Sequence, residues 1–414
     1  MTLSTIFPIL AGISLLLSAM TYFRVRIHGH LLVITFLIGW LRGELALQTI
    51  AIEGFFVALF GTAGVFETTG GKVGLALSLV SWGLLLAAYR RGLGAGREMG
   101  DALAAEGIET DRNVSAFHGF PNPFRFTHPD VQRIYDLEYG DSLPGDKGGR
   151  NRLDLILPKV AREGDRRPVL LQVHGGAWII GDKREQGRPL MTKLASQGWI
   201  CVAINYRLSP KATMPDHIID VKRAIAWIRE HIAEYGGDPE FLCITGGSAG
   251  GHLSSLAALT ANDPQFQPGF ESVDTRVDAC VPFYGVFDFL DRADDRGLGK
   301  MADALGPLVF KCTPEENPEL WEAVCPVARV HPEAPPFLVI QGSHDSLVMA
   351  EEAVSFVKAL RAKSTRPVLF AELAGAQHAF EIFHSPRTEH AIRGAAAFLA
   401  KVHADYQAAR SRAA

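Results

Sequence analysis

The sequence has no excess of basic residues: 41 Lys and Arg stand against 45 Asp and Glu, a formal net charge of −4. A chain that neutralises a phosphate backbone needs clustered positive charge, so nucleic acid is excluded as a partner. Cysteine is scarce, five in 414 residues. The odd count favours a reduced compartment, and no C-x-x-C pair offers zinc or thiol–disulfide chemistry. Cys201, Cys243 and Cys280 lie inside apolar strand-like runs, where cysteine behaves as a small hydrophobe. There is no H-E-x-x-H and no P-loop lysine, and Gly246–Gly251 follows a strand without a G-x-G-x-x-G register. Metal and nucleotide chemistry therefore lack their signatures, and no cofactor is expected. No internal repeat or low-complexity tract stands out.

Charge of either sign is missing from the amino end. Residues 2–23 carry none and are mostly apolar, long enough to cross a bilayer. A signal peptide places positive charge ahead of its apolar run, whereas Arg24 and Arg26 follow this one, which predicts an uncleaved span. A second uncharged run, 73–89, is closed by Arg90 and Arg91. The apolar stretch between them is interrupted by Arg42, Glu44 and Glu53. It predicts one span within 45–66, with 31–41 at the interface or packed in the bundle. Three spans would gather Arg24, Arg26, Arg90, Arg91 and Arg97 on one side, opposite the short loop 67–72 with its single lysine. By the positive-inside rule this is an integral membrane protein whose later residues are cytoplasmic. Residues 1–91 thus read as a helical membrane module, in contact with lipid. Gly92, Gly94, Gly96 and Gly100, then Pro121, Pro123 and Pro129, mark 92–130 as a linker.

From residue 131 to about 406 strand patterns alternate with helical ones. Segments 134–139 and 152–157 flank a turn rich in Gly and Asp, an antiparallel hairpin. Strands follow at 169–173, 200–205, 241–244, 277–283, 337–340 and 368–372. Helices fall near 190–196, 216–235, 253–259 and 351–362, and from about 388. This alternation predicts an α/β fold, a mostly parallel sheet with helices on both faces and ligands at the carboxyl ends of its strands. The stretch 286–335 breaks the pattern with Asp291, Asp294, Asp295, Pro307, Pro314 and Trp321, a possible lid or insert.

The chain is organised around Gly246-Gly-Ser248-Ala-Gly250, a G-x-S-x-G elbow between a strand and a helix. Small neighbours two residues either side let a tight turn lift the Ser248 hydroxyl to a helix N-terminus, where developing negative charge is favoured. His174-Gly-Gly-Ala-Trp178 follows the strand 169–173, and its glycines let backbone N–H groups approach a substrate oxygen. The oxyanion hole is expected from Ala249 together with this loop: Gly175, Gly176 and Ala177, the last two preferred. Trp178 is a candidate substrate-binding residue. Asp345 and His378 each follow a strand, and the order Ser248, Asp345, His378 is that of an elbow-type hydrolase. His378 would take the Ser248 proton, and Asp345 would hold its tautomer. His174, His252 and His344 are expected to brace or pack.

With these residues assembled, about 130–405 resembles the hormone-sensitive-lipase-like and carboxylesterase branch of the α/β-hydrolase fold. Asn205-Tyr-Arg-Leu-Ser-Pro210 is similar to that family's Asp-Tyr-Arg-Leu-Ala-Pro segment, and Tyr235-Gly-Gly-Asp-Pro239 is also typical. The sequence departs from that family in His174-Gly-Gly-Ala-Trp, which replaces a triple glycine, and in His378-Ala, which replaces His-Gly; the first resembles bacterial esterases, arylformamidases and membrane-bound isoprenylcysteine methylesterases. The resemblance implies a membrane-associated serine carboxylesterase or lipase acting on lipophilic esters. The alternatives are an amidase, formamidase or isoprenylcysteine-methylesterase-like hydrolase using the same triad, and a non-catalytic ligand-binding relative.

Overall fold

The computed structural model describes residues 1–23, 30–140, 150–294 and 301–413. Arg24, Arg26, Asp295 and the hairpin turn at 141–149 lie outside them. Helices α1 (Leu3–Ala19), α2 (His30–Glu44), α3 (Ala46–Thr62), α4 (Thr69–Leu93) and α5 (Ala95–Ala104) come first. Strands β1 (Val131–Glu138), β2 (Arg152–Pro158) and β3 (Arg167–Val173) lead to α6 (Arg188–Ser196), β4 (Ile200–Ile204) and α7 (Asp216–His231). Then follow β5 (Gly237–Gly247), α8 (Ala249–Leu259), β6 (Ala279–Phe283), α9 (Met301–Leu305) and α10 (Pro318–Ala323). The chain ends with β7 (Phe337–Gly342), α11 (Ala350–Lys363), β8 (Val368–Leu373) and α12 (Pro386–Ala413).

The strands form one sheet in the order β1-β2-β4-β3-β5-β6-β7-β8. The pairings β1–β2 and β2–β4 are antiparallel and the rest parallel. Alternate residues of β3 face opposite sides of the sheet, and from Val169 the strand is apolar but for Gln172 between Leu171 and Val173. Val169, Leu171 and Val173 join a core with α7, α8 and α11, while Leu170 joins a second core with α5, α6 and α12. A sheet buried on both faces favours apolar side chains on both, and the buried Gln172 is satisfied by donating to Val173 O at 3.1 Å.

At the amino end, α1 with its following turn (Leu3–Tyr22) and the α4–α5 stretch (Thr69–Ala104) are each long and apolar enough to cross a membrane. Their ends coincide: a Cβ on Gly70 would lie 2.2 Å from Ser4 O, and Arg91 sits over the Tyr22 ring at 4.3 Å. The two helices therefore run parallel, brought close by small residues, with Ser18 and Ser81 hydroxyls 2.8 Å apart. Helix α3 passes the same test only together with α2, and the two meet at 88°. Glu53 of α3 is satisfied by Arg42, by Ser14 at 2.6 Å and by Trp82 at 3.0 Å, a polar knot between otherwise apolar helices.

Within 92–130 the glycines do not all mark open chain. Ala95–Ala104 is helical and buries Met99 and Leu103 in the second core. Gly96 and Gly100 are sites of close approach, where a Cβ would come within 2.6 Å of His390 and 2.2 Å of Arg112.

Candidate active site

Ser248 sits at φ 57°, ψ −122° between β5 and α8. An L-residue is strained there by about 1–3 kcal/mol, and such strain concentrates at functional sites. The glycines around it answer to sterics. A Cβ on Gly250 would lie 2.1 Å from Val173 O, and one on Gly246 would lie 2.5 Å from the Gly250 carbonyl carbon. Only bare backbone lets β5, β3 and α8 meet so closely, and Ser248 N is tied to Phe283 O at 3.0 Å.

Beside it, Gly176, Ala177 and Trp178 have φ values of 114°, 52° and 61°, three left-handed residues in succession. Ile179 and Ile180 both donate to Gly176 O at 3.0 Å and turn the loop back. Among the described residues the N–H groups of Gly176, Ala177 and Ala249 have no acceptor. Gly175 departs from the sequence expectation. Its N–H donates to Gln186 Oε1 at 2.7 Å, so it anchors the loop and is not a free oxyanion donor. Trp178 is corrected too. At 2% exposure it is a core residue, packed on His252 (5.1 Å) and Phe289 (5.3 Å), and offers substrate almost no surface. Phe289 in turn contacts Phe310 and Trp321, so the insert 286–335 shares a buried aromatic cluster with this loop.

The Asn205-Tyr-Arg segment braces the loop from behind. Asn205 accepts from Lys183 N at 2.7 Å and donates to Asp182 at 2.8 Å. Tyr206 donates to His174 O at 3.0 Å and stacks on the His174 ring at 4.4 Å. Arg207 clamps Asp220 through two bonds of 2.8 Å. His174 bonds Gly175 O at 2.7 Å, His252 bonds Val324 O at 2.8 Å, and His344 bonds Ser343 at 3.0 Å. None of the three is directed at Ser248.

Burial holds His174 and His252 down at about 4 and His217, which bonds Ser209, down at about 3. These rings are neutral when folded, whereas an unfolded histidine gains a proton below its ordinary 6.5. A lowered folded pKa means stability that is full above pH 6.5 and is lost as pH falls towards 3. His217→Gln should therefore flatten the fall in unfolding free energy between pH 6 and 4 by about 1.4 kcal/mol per pH unit. Urea midpoints measured across that range would check this, and an unchanged slope would contradict it.

Asp345, fully buried after β7, is saturated. Its Oδ1 accepts from Leu347 N (2.9 Å) and Val348 N (2.8 Å). Its Oδ2 meets His378 Nδ1 at 2.7 Å and Gln341 Nε2 at 3.1 Å. Gln377 fixes the histidine loop by accepting from His378 N at 2.9 Å and Ser346 N at 2.8 Å. The Ser248–His378 hydrogen bond is not made among the described residues, as is common before substrate closes a site.

Three groups at the site carried no motif. Phe36 of α2 lies edge-on to His378, ring centroids 5.9 Å apart. Trp40, one turn on, donates to Ala379 O at 2.8 Å and stacks on Phe383 at 4.8 Å, while Glu44 pairs with buried Arg387. Tyr284 packs its ring 4.5 Å from His378 and donates to Glu381. Two signals for the last pair were available: Tyr284 follows a strand, and Glu381 is a lone acid in an apolar run. Nothing local points to Phe36. Among the described residues no group of three or more His, Cys, Asp or Glu could hold a metal ion.

A free serine hydroxyl, unoccupied N–H groups beside it and a carboxylate-bound histidine can together carry out acyl transfer. Comparison with known proteins agrees. A family model described as BD-FAE matches residues 153–360. "Probable carboxylic ester hydrolase LipM" of Mycobacterium tuberculosis is 50% identical over 288 residues, 70% of this chain and 66% of that protein. "Esterase LipQ" of the same organism is 45% identical over 282 residues, 68% and 66%. The matched region thus spans just under two thirds of either relative. A crystal structure of inhibited esterase B from Lactobacillus rhamnosis superposes with TM-score 0.56 over 79% of this chain and 99% of that one. At 20% identity that likeness speaks for the fold alone.

Proposed function

The chain belongs to the BD-FAE family of α/β-hydrolase esterases, and from that premise we propose that it is a serine carboxylesterase acting on lipophilic esters. Ser248 attacks the ester carbonyl while His378 takes its proton through Nε2. Asp345 keeps the other imidazole proton on Nδ1 and stabilises the cation that forms. The carbonyl oxygen, now an anion, is held by the N–H groups of Ala249, Gly176 and Ala177. His378 returns the proton to the departing alkoxide, leaving an acyl group on Ser248. Water deprotonated by His378 then releases the acid. The observation that carries this reading is the strained Ser248 beside three unoccupied N–H groups, together with the 2.7 Å contact between His378 and Asp345.

A lipophilic substrate is supported by the outward faces of the amino-terminal helices. Leu10, Leu16, Phe55, Phe56, Leu79 and Val80 are exposed at 51% or more, an apolar surface suited to lipid. In this reading α1, α3 and α4 cross the bilayer, and parallel α1 and α4 require a crossing between them. The catalytic domain lies on the cytoplasmic side, where Arg90, Arg91 and Arg97 gather.

Activity on p-nitrophenyl esters of graded chain length, beside matching anilides, tests the chemistry. Esters should be cleaved at least about 100-fold faster than anilides, because p-nitrophenoxide is a far better leaving group than the anilide nitrogen, and anilide preference would move the chain to the amidases. The same activity should stay with membranes through high-salt and alkaline washes, since apolar burial does not depend on screened charge. Release by salt would sink the spans.

A further inference from the structure

His378 is flanked by a second buried acid that the reaction scheme above does not use. Tyr284 (1% exposed) closes β6 just after Phe283, whose carbonyl holds Ser248 N. Its hydroxyl lies against the elbow, 2.7 Å from where a Cβ on Gly247 would stand. Its ring touches the imidazole, and its O–H donates to Glu381. Glu381 (4% exposed) sits in the short helix Phe380–Ile382, three residues after His378. One tyrosine therefore contacts the nucleophile's turn, the histidine and the acid at once.

The geometry points to Tyr284 and Glu381 as positioning residues for His378: the tyrosine sets the imidazole against the elbow, and the Glu381 carboxylate adds a second negative charge to that of Asp345. The inference rests on His378 being the general base of the proposed esterase. Burial pushes Glu381 up to about 6, while the Tyr284 hydroxyl, its own backbone N–H and the His378 charge pull it back down, and Glu44 pushes it up. It thus ionises in the range where a working imidazole must lose its proton. Other charged and titratable groups around the histidine loop include Asp345 after β7, Glu44 of α2 paired with Arg387 of α12, Glu98 of α5, which accepts from Ala374 N at 2.9 Å, Arg91 of α4 beside Gly375, and His344.

A negative charge beside an imidazole favours the imidazolium, so removing it favours the neutral ring. Glu381→Gln keeps the shape and an acceptor for Tyr284. It should move the acid limb of kcat/KM down by about one pH unit and lower kcat about tenfold, the same interaction read at the transition state. Tyr284→Phe removes the hydroxyl that keeps Glu381 ionised, so it should move the limb in the same direction. The double variant should lose about as much as the worse single one, because both act through one bond.

The measurement is kcat/KM from pH 5 to 9 on a short-chain ester with the full-length protein, alongside thermal unfolding of each variant. If Glu381→Gln does not fold, the limb of Tyr284→Phe decides alone. An acid limb within about 0.2 unit of wild type, with losses that multiply in the double variant, would assign the pair to packing and overturn the inference. A wild type that hydrolyses no ester would instead defeat the esterase reading itself.

Discussion

Ser248→Ala should lower kcat by about 10⁴-fold or more while the protein stays folded. The substitution deletes one partly exposed oxygen and keeps a Cβ in the strained turn, so neither the β5–α8 packing nor the Ser248 N–Phe283 O bond is touched. What remains is a site that can still bind an ester and polarise its carbonyl but has no nucleophile, and residual turnover reports the oxyanion donors alone. Single-turnover acylation with a p-nitrophenyl ester, beside a thermal unfolding curve, measures both halves of this expectation. A variant that kept most of its rate would place the nucleophile elsewhere.

Asp345→Asn should be nearly as severe, on the order of 10⁴-fold in kcat. The reason lies in the four contacts of the carboxylate. Both oxygens accept, Oδ1 from two backbone N–H groups and Oδ2 from His378 and Gln341. An asparagine must turn its NH2 towards one set of donors. Facing His378, it makes Nδ1 the acceptor and leaves the proton on Nε2, the atom that has to receive the Ser248 proton. Facing Leu347 and Val348, it sets donor against donor in a buried pocket, at about 1–3 kcal/mol for each unsatisfied group. His344→Ala, one residue earlier, removes a ring that bonds Ser343 and should cost less than about tenfold. Steady-state rates of the two variants rank them, and the reverse order would mean that the acid had been misplaced within the pair.

The positions of Ser248, Asp345 and His378 at strand ends were legible because each follows an apolar run of strand length, and an α/β sheet brings such ends to one edge. The hairpin, the strand series and the covered sheet were legible for the same reason. What escaped depends on contacts between distant segments. Gly175 looks like any donor in a glycine-rich loop until Gln186 is seen to occupy it. Trp178 looks like an aromatic beside a site until the insert's Phe289 buries it. The glycines at 96 and 100 have the composition of a flexible stretch, and only His390 and Arg112 pressing on α5 distinguish close approach from looseness. Phe36 could not have been found, because α2 reads as one more apolar helix and its contact with His378 joins opposite ends of the chain.

The seating of α2 makes the amino-terminal helices and the catalytic domain hard to separate by cutting. A version beginning after α4 would lose Phe36 beside His378 and Trp40 from Phe383, and would leave the Arg387 guanidinium without the Glu44 carboxylate. Met20, Gly39, Gly43 and Ala88, which line the same small cavity as Arg387, would leave with the cut, so the guanidinium would pass to water and the packing over the histidine loop would be lost. Substrate preferences recorded on such a fragment would describe an altered enzyme. The whole chain is the form in which its selectivity is best measured, and exchanging α2 between relatives offers a way to vary that selectivity without altering Ser248, Asp345 or His378.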